Sequence, residues 1–241
     1  MTQGTGAARG GSEGELPEHA AAHIVWDWNG TLLHDIHVVL EASNAAFREL
    51  GMEPITLERY RELFRVPVPR FYERLLGRKP SPAEWQVLDA TFHRHYGQRV
   101  LEAGLTEGVE ELLAGWLAAG RTQSLCSLAP HEDLVRLLGR HGIERRFVRV
   151  DGAVGPNGGG KAAQMARHLE ALRALPKAAD PARTVVIGDA LDDADAAAHV
   201  GAGAVLYTGG SHSRASLRSA GVPVVDTLAE AVGLAEEIAV G

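Results

Sequence analysis

The chain has 241 residues, 45% of them hydrophobic, a net charge of −7 and a pI of about 5.9. That length suits one large domain or a core with an insert, and the apolar share supports a sizeable buried core. The acidic balance argues against a nucleic-acid backbone binder, the single cysteine (Cys126) excludes an internal disulfide, and no apolar run is long enough for a membrane-spanning helix.

Residues 1–20 are Gly-rich, polar and aperiodic, which predicts a disordered tail. They lack the basic-then-apolar layout of a signal peptide, so the expected location is cytoplasmic. A short apolar run over residues 23–28 reads as a buried strand and ends at the turn signal Asn29-Gly30-Thr31. Helical periodicity follows over residues 36–50, stopping at Gly51, and again over residues 56–64. Pro67 and Pro69 predict a loop, and residues 71–76 a short helix. Ser81-Pro82-Ala83-Glu84 spells a capping box with proline at the first helical position, opening a long helix to about residue 101.

From Leu105 the texture changes to alternation. Helices are predicted over residues 109–119, 132–140, 161–175, 193–200, 214–220 and 228–238. Strands fall between them at 122–127, 147–150, 184–188, 204–207 and 223–226. Repeated strand–helix units predict an α/β fold with a doubly wound parallel sheet. The core then comprises residues 21–35 and 105–241, and residues 36–104 form an α-helical insertion after the first strand.

In open parallel sheets, sites form at the carboxyl ends of strands. The first strand ends at Asp27, the second at Ser127, the fourth at Gly188-Asp189 with Asp193 beyond, and Lys161 opens a helix. Carboxylates, a hydroxyl and an ammonium group thus collect at one edge. Such parts suit phosphoryl transfer, which needs a nucleophile, a divalent cation and donors for the phosphate oxygens. Mg²⁺ takes oxygen ligands, and Asp27 and Asp189 could share it.

These residues resemble the motifs of the haloacid dehalogenase superfamily, in the phosphoglycolate phosphatase-like subgroup with a helical cap inserted after the first strand. Asp27-Trp28-Asn29-Gly30-Thr31 is similar to its Asp-x-Asp-x-Thr motif, and Ser127 and Lys161 match its second and third motifs. Gly188-Asp189 with Asp193 is similar to its fourth. The resemblance runs from about residue 23 to the C-terminus. It implies that Asp27 attacks phosphorus and becomes an aspartyl-phosphate. It also implies Mg²⁺ bound by Asp27, the Asn29 main-chain carbonyl and Asp189, with Asp193 helping. Ser127 and Lys161 would hold the phosphoryl oxygens, and Gly30 and Thr31 would support the substrate loop. The substrate would be a small phosphorylated metabolite, with neither nucleic acid nor membrane as partner.

One position departs from the pattern. Where the family's phosphatases carry a second Asp as general acid–base, this chain has Asn29, which has no transferable proton. Positioned proton transfer is typically worth about 10²–10⁴-fold in rate. Three ways round this are a good leaving group such as an acyl or aryl phosphate, another acid such as His34 or a cap histidine, or a catalytically impaired protein that binds a phosphorylated ligand. A fourth reading is a phosphonatase, for which Lys79 is the one cap lysine.

Other features read more plainly. Gly155 to Ala162 nearly spells a phosphate-binding P-loop, but Ala162 stands where that motif needs a hydroxyl. His93 and His95 point to different helix faces and read as solvated. His34 and His37 read as a hinge contact, and Asp192 and Asp195 as ordinary first-turn acids. Among the cap arginines, Arg65 and Arg70 flank the proline loop and are the candidates to reach an anionic substrate.

Overall fold

The computed structural model describes residues 22–154, 160–175 and 179–240. The expected tail (1–20) and the glycine-rich residues 155–159 lie outside the described residues. Strand β1 (His23–Trp26) leads into four helices, α1 (Ile36–Glu49), α2 (Leu57–Leu63), α3 (Pro69–Leu76) and α4 (Pro82–Arg99). Then come α5 (Val109–Ala118), β2 (Thr122–Pro130), α6 (His131–His141), β3 (Val150–Ala153), α7 (Gly160–Arg173) and β4 (Thr184–Gly188). The chain continues through α8 (Leu191–Val200), β5 (Gly203–Tyr207), α9 (Arg214–Arg218), β6 (Val224–Val225) and α10 (Leu228–Val240).

The strands form one parallel sheet in the order β3-β2-β1-β4-β5-β6. β1 alternates its side chains between two apolar layers. Ile24 and Trp26 pack with Leu113, Leu134 and Ala235 from α5, α6 and α10, while Val25 packs with Met165 and Ala197 from α7 and α8. Burial on both faces explains why the strands read as continuous apolar runs. Chain order reverses between β1 and β4, which opens a crevice at their carboxyl ends.

The helical insertion has its own small core. Phe47 of α1, Tyr60 of α2, Phe71 of α3 and Leu88 of α4 cluster there, and α1 lies along α4. The capping box at α4 is complete: Glu84 N donates to Ser81 Oγ at 3.3 Å, and Ser81 N donates to Glu84 Oε2 at 2.7 Å. α3 starts two residues before the expected helix, because Pro69 occupies a first-turn position that needs no N–H donor. The insertion joins the core through two adjacent connections. His34 N donates to Gly104 O and Thr106 N to Leu32 O, both at 2.9 Å.

β3 lies three residues later than expected. Residues 147–150, apolar apart from Arg149, suggested the strand, yet the pairing with β2 runs through Val150, Asp151 and Ala153. Gly152 permits it: a Cβ there would lie 2.5 Å from His131 Cα and 2.7 Å from Ala129 O. Asp151 is accepted in the sheet because His168 and Arg149 both bond its Oδ2, at 2.7 and 2.5 Å.

The same network reaches the centre of the sheet. His23 bonds Thr122 Oγ1 at 2.7 Å and Ser124 Oγ at 2.8 Å, and His168 bonds Ser124 Oγ at 2.7 Å. Burial, aided by the neighbouring His168, lowers the His23 pKa from 6.5 to about 3. The unfolded imidazole therefore takes up a proton that the folded one refuses, so stability should be lost as pH falls from about 6.5 towards 3. One such proton is worth about 1.4 kcal/mol per pH unit. Urea unfolding between pH 4 and 7 tests this, and His23→Gln should flatten the dependence. An unchanged slope in the variant would remove His23 as its source.

Candidate active site

The crevice at the strand-order reversal gathers the predicted acids. Asp27 follows β1, and its N–H continues the ladder to Ile187 O of β4 at 2.9 Å. Asp189 follows β4, and Asp193 lies in the first turn of α8. One carboxylate oxygen from each of Asp27, Asp189 and Asp193 falls within 4.8 Å of the others, and all three residues are buried. Lys161, in the first turn of α7, pairs with Asp27 and with Asp193 Oδ1, the latter at 2.6 Å. Asp193 Oδ2 also accepts from Ala190 N at 3.0 Å, so this acid ties α8 to the lysine. Ser127 of β2 lines the same cavity.

Close packing of glycine makes room for Asp189. A Cβ on Gly30 would lie 2.7 Å from Asp189 Oδ2, and one on Gly210 would lie 2.0 Å from it. Gly30 also has a φ of +70°, which L side chains rarely adopt. Ser211 N holds Asp189 Oδ2 at 2.6 Å.

Three carboxylates share one ammonium group, and the electrostatics reflect it. Burial pushes the Asp27 pKa up to about 7, with Asp193 adding to the rise and Lys161 opposing it. Asp189 is raised by burial and by the Asp27 and Asp193 charges. Burial alone would lower the Lys161 pKa, but Asp193 and Asp27 outweigh it and hold the amine above its ordinary range. The cluster lacks positive charge, and its donors are all hard oxygens, the set a divalent cation such as Mg²⁺ takes. The residues therefore fit the metal that the family resemblance implies.

Several functional neighbours escaped the sequence. Asn29 Nδ2 donates to Asp35 Oδ2 and to Tyr96 Oη, each at 2.7 Å. Tyr96 Oη donates to Asp35 Oδ2 at 2.6 Å, and Gly30 N donates to Asp35 Oδ1 at 2.8 Å. Burial raises the Asp35 pKa against these donors. Asp35 follows the Asn29-Gly30-Thr31 turn and could have been suspected, whereas Tyr96 comes from α4 and carried no sequence signal. Gln164, one turn beyond Lys161, donates to Ser127 O at 2.6 Å and docks α7 on β2. Asp192 is a first-turn acid of α8, as expected, and it also lines the cavity, where burial with Asp193 lifts its pKa to about 6. Asp195 is exposed and lies beyond the first turn of α8, which holds Asp192 and Asp193.

Other expected positions lie elsewhere. Gly30 and Thr31 do not line the cavity: Gly30 N is bonded to Asp35, and Thr31 is buried, with its carbonyl accepting from Thr106 Oγ1 at 2.6 Å. Arg65 turns back to the Glu62 and Phe64 carbonyls, and Arg70 is exposed on α3; neither lines the cavity. The arginine that crosses to the core is Arg61, which donates to Gly210 O and Gly209 O at 2.8 Å each. It lies on the α2 face that meets the Gly209–Ser213 loop, a packing relation that residue spacing does not encode. His34 is exposed and stacks edge-on against His37, outside the cavity. Lys79 is exposed beside Glu73, 3.9 Å away, and also outside the cavity, which removes the amine that phosphonate chemistry would need.

The acids open into a cavity of about 640 Å³ between the sheet edge and the helical insertion. Geometry alone defines the class: a carboxylate–lysine centre at the switch point of a capped parallel sheet. A family model of haloacid dehalogenase-like hydrolases matches residues 21–201. The chain belongs to that family and is an enzyme. It is 29% identical over 203 residues to a phosphoglycolate phosphatase from Synechococcus elongatus, covering 82% of this chain and 88% of the relative. Similarity to the phosphoglycolate phosphatase of Cereibacter sphaeroides is 27% over 191 residues, covering 78% and 85% of the two chains. In three dimensions it resembles a predicted phosphatase from Clostridium acetobutylicum, with a TM-score of 0.75, 16% identity, and 90% and 99% of the two chains covered. The last likeness bears on the fold, including the inserted cap.

Proposed function

We propose that this enzyme is a Mg²⁺-dependent phosphatase that hydrolyses a small soluble phosphate monoester through an aspartyl-phosphate on Asp27. The observation that carries the reading is Lys161, buried and paired with both Asp27 and Asp193 beside Asp189. Asp27 attacks phosphorus, the ester P–O bond breaks, and water then cleaves the aspartyl-phosphate. Lys161 restrains the Asp27 charge in the resting site and holds phosphoryl oxygens, together with Ser127. Asp193 keeps Lys161 in place. Asp27, Asp189 and the Asn29 carbonyl would hold the cation, assisted by Asp193, and the cation would neutralise phosphate charge. Residues 36–104 act as the cap, hinged where residues 33–34 run beside 104–106, and shield the reaction from bulk water. The phosphoglycolate phosphatases to which the chain is similar support the ester class. Among the described residues no helix is long and apolar enough to cross a membrane. The one cysteine, Cys126, is buried and free, which suits the reducing cytoplasm.

Metal binding should show as stability. Mg²⁺ at about 100 times its Kd should add about 2.7 kcal/mol to unfolding. Thermal unfolding with and without Mg²⁺ measures it, and Asp189→Asn should remove most of the shift. An equal shift in the variant would take Asp189 out of the metal site.

A further inference from the structure

The walls of the cavity differ sharply from its floor. On the cap side they include Phe64, Trp85, Phe92 and Tyr96, with Phe92 and Tyr96 stacked 5.6 Å apart at 10°. On the core side they include Leu128, Ala129 and Pro130. Leu128 and the cap residue Val68 both line the cavity and are among the exposed large apolar residues of the molecule, at 38% and 43%. An enzyme for a small, highly polar ester has no use for such a surface, whereas a flat apolar group would bury it.

Charge points the same way. Beyond the three acids at the floor, Asp35, Asp89, Asp133 and Asp192 also line the cavity. Among the described lining residues the basic ones are Lys161, Arg136 and His93. Lys161 is held by Asp27 and Asp193, Arg136 pairs with Asp133 at 2.9 Å, and His93 lies 3.5 Å from Asp89. A second anionic group on the substrate, such as the carboxylate of phosphoglycolate, would find no unpaired cation among the described lining residues.

The third observation is chemical. Asn29 stands where a leaving alkoxide would be protonated, and its amide is already engaged by Asp35 and Tyr96. An alkoxide is about as basic as hydroxide and leaves poorly without a proton. A phenolate, whose conjugate acid has a pKa of about 10, can depart with the electron pair unaided.

Building on the phosphatase reading, we infer that the leaving group is an aromatic ring: the substrate is a phosphate ester of a phenol without a further negative charge. Asp27 forms a bond to phosphorus as the P–O(aryl) bond breaks, and the phenolate oxygen takes its proton from solvent. Water then attacks phosphorus and frees Asp27. The sum consumes one water and yields one phenol and one inorganic phosphate. The ring lies between Phe92 and Trp85 of the cap and Leu128 of the core.

Three probes separate the parts of this inference: phenyl phosphate, benzyl phosphate and 2-phosphoglycolate, each assayed on the full chain with Mg²⁺. Phenyl phosphate should exceed phosphoglycolate in kcat/KM by about 100-fold. Benzyl phosphate keeps the ring but leaves as an alkoxide, so its kcat/KM, which reports formation of the aspartyl-phosphate, should fall about 100-fold below that of phenyl phosphate. Leu128→Asp, at an exposed position that can take a charge without unfolding the core, should cut the phenyl-to-phosphoglycolate ratio about tenfold. Faster turnover of phosphoglycolate than of phenyl phosphate would overturn the inference and leave the phosphatase reading standing. Equal kcat/KM for benzyl and phenyl phosphate would overturn its leaving-group half. Turnover of none of the three would overturn both readings.

Discussion

Asp27→Asn is expected to lower kcat by on the order of 10⁴-fold or more on every phosphate ester, without lowering the melting temperature at pH 7.5. The first part follows from the role: an amide oxygen does not form the phosphoryl bond, and losing a nucleophile typically removes most of an enzyme's rate. The second part follows from the charges. Asp27, Asp189 and Asp193 crowd around one lysine, and burial pushes the Asp27 pKa up to about 7. A neutral group of the same shape relieves that crowding, and Lys161 keeps its 2.6 Å pairing with Asp193. Steady-state assays with phenyl phosphate and a thermal melt without added metal check both parts. Activity near that of the unaltered protein would refute Asp27 as the nucleophile. A large drop in melting temperature would mean that the Asp27–Lys161 pair stabilises the fold more than the like charges strain it.

Asn29→Asp is expected to raise kcat/KM on benzyl phosphate by about 100-fold, with a smaller gain on phenyl phosphate, whose leaving group needs the proton less. The structure makes this substitution more than the recovery of a motif. The new carboxyl would face Asp35 Oδ2 at the present 2.7 Å amide contact, and Asp35 is itself buried. Two acids that close share a proton, and one of the two is held protonated well above the ordinary carboxylate range. A protonated carboxyl beside the reacting bond is what an alkoxide leaving group requires. The repulsion should also lower stability, so the double change Asn29→Asp with Asp35→Asn should recover the melting temperature. The pH dependence of kcat/KM on benzyl phosphate, compared between single and double variants, reads the proton directly. No gain in the single variant would mean that proton transfer to the leaving group does not limit turnover.

Both expectations bear on how much of the enzyme was written locally. The acid after β1, the acids around the β4–α8 turn and the lysine opening α7 each follow a strand or begin a helix whose own periodicity identified it. In a parallel sheet all strand ends face one edge, so finding the elements was enough to bring these residues together. The capping box before α4 was legible for the same reason: both partners lie within one turn.

Other assignments failed where the partner lay far along the chain. Asp35 joins Tyr96 across 61 residues and Arg61 reaches Gly209 across 148, while Arg65 and Arg70, chosen for their place beside the prolines, serve no such contact. β3 shifted because Asp151 found His168 and Arg149, which no apolar count could foresee.

The sequence by itself determined the parallel sheet, the inserted helices and the acid–lysine centre, because hydrophobic periodicity and turn chemistry act over a few residues and the sheet then aligns their ends. Only the tertiary structure decided what surrounds that centre: the hydrogen-bonded state of Asn29, the aromatic cap wall and the paired basic groups. Those depend on which helix faces close over the sheet edge, a matter of packing between segments far apart in the chain.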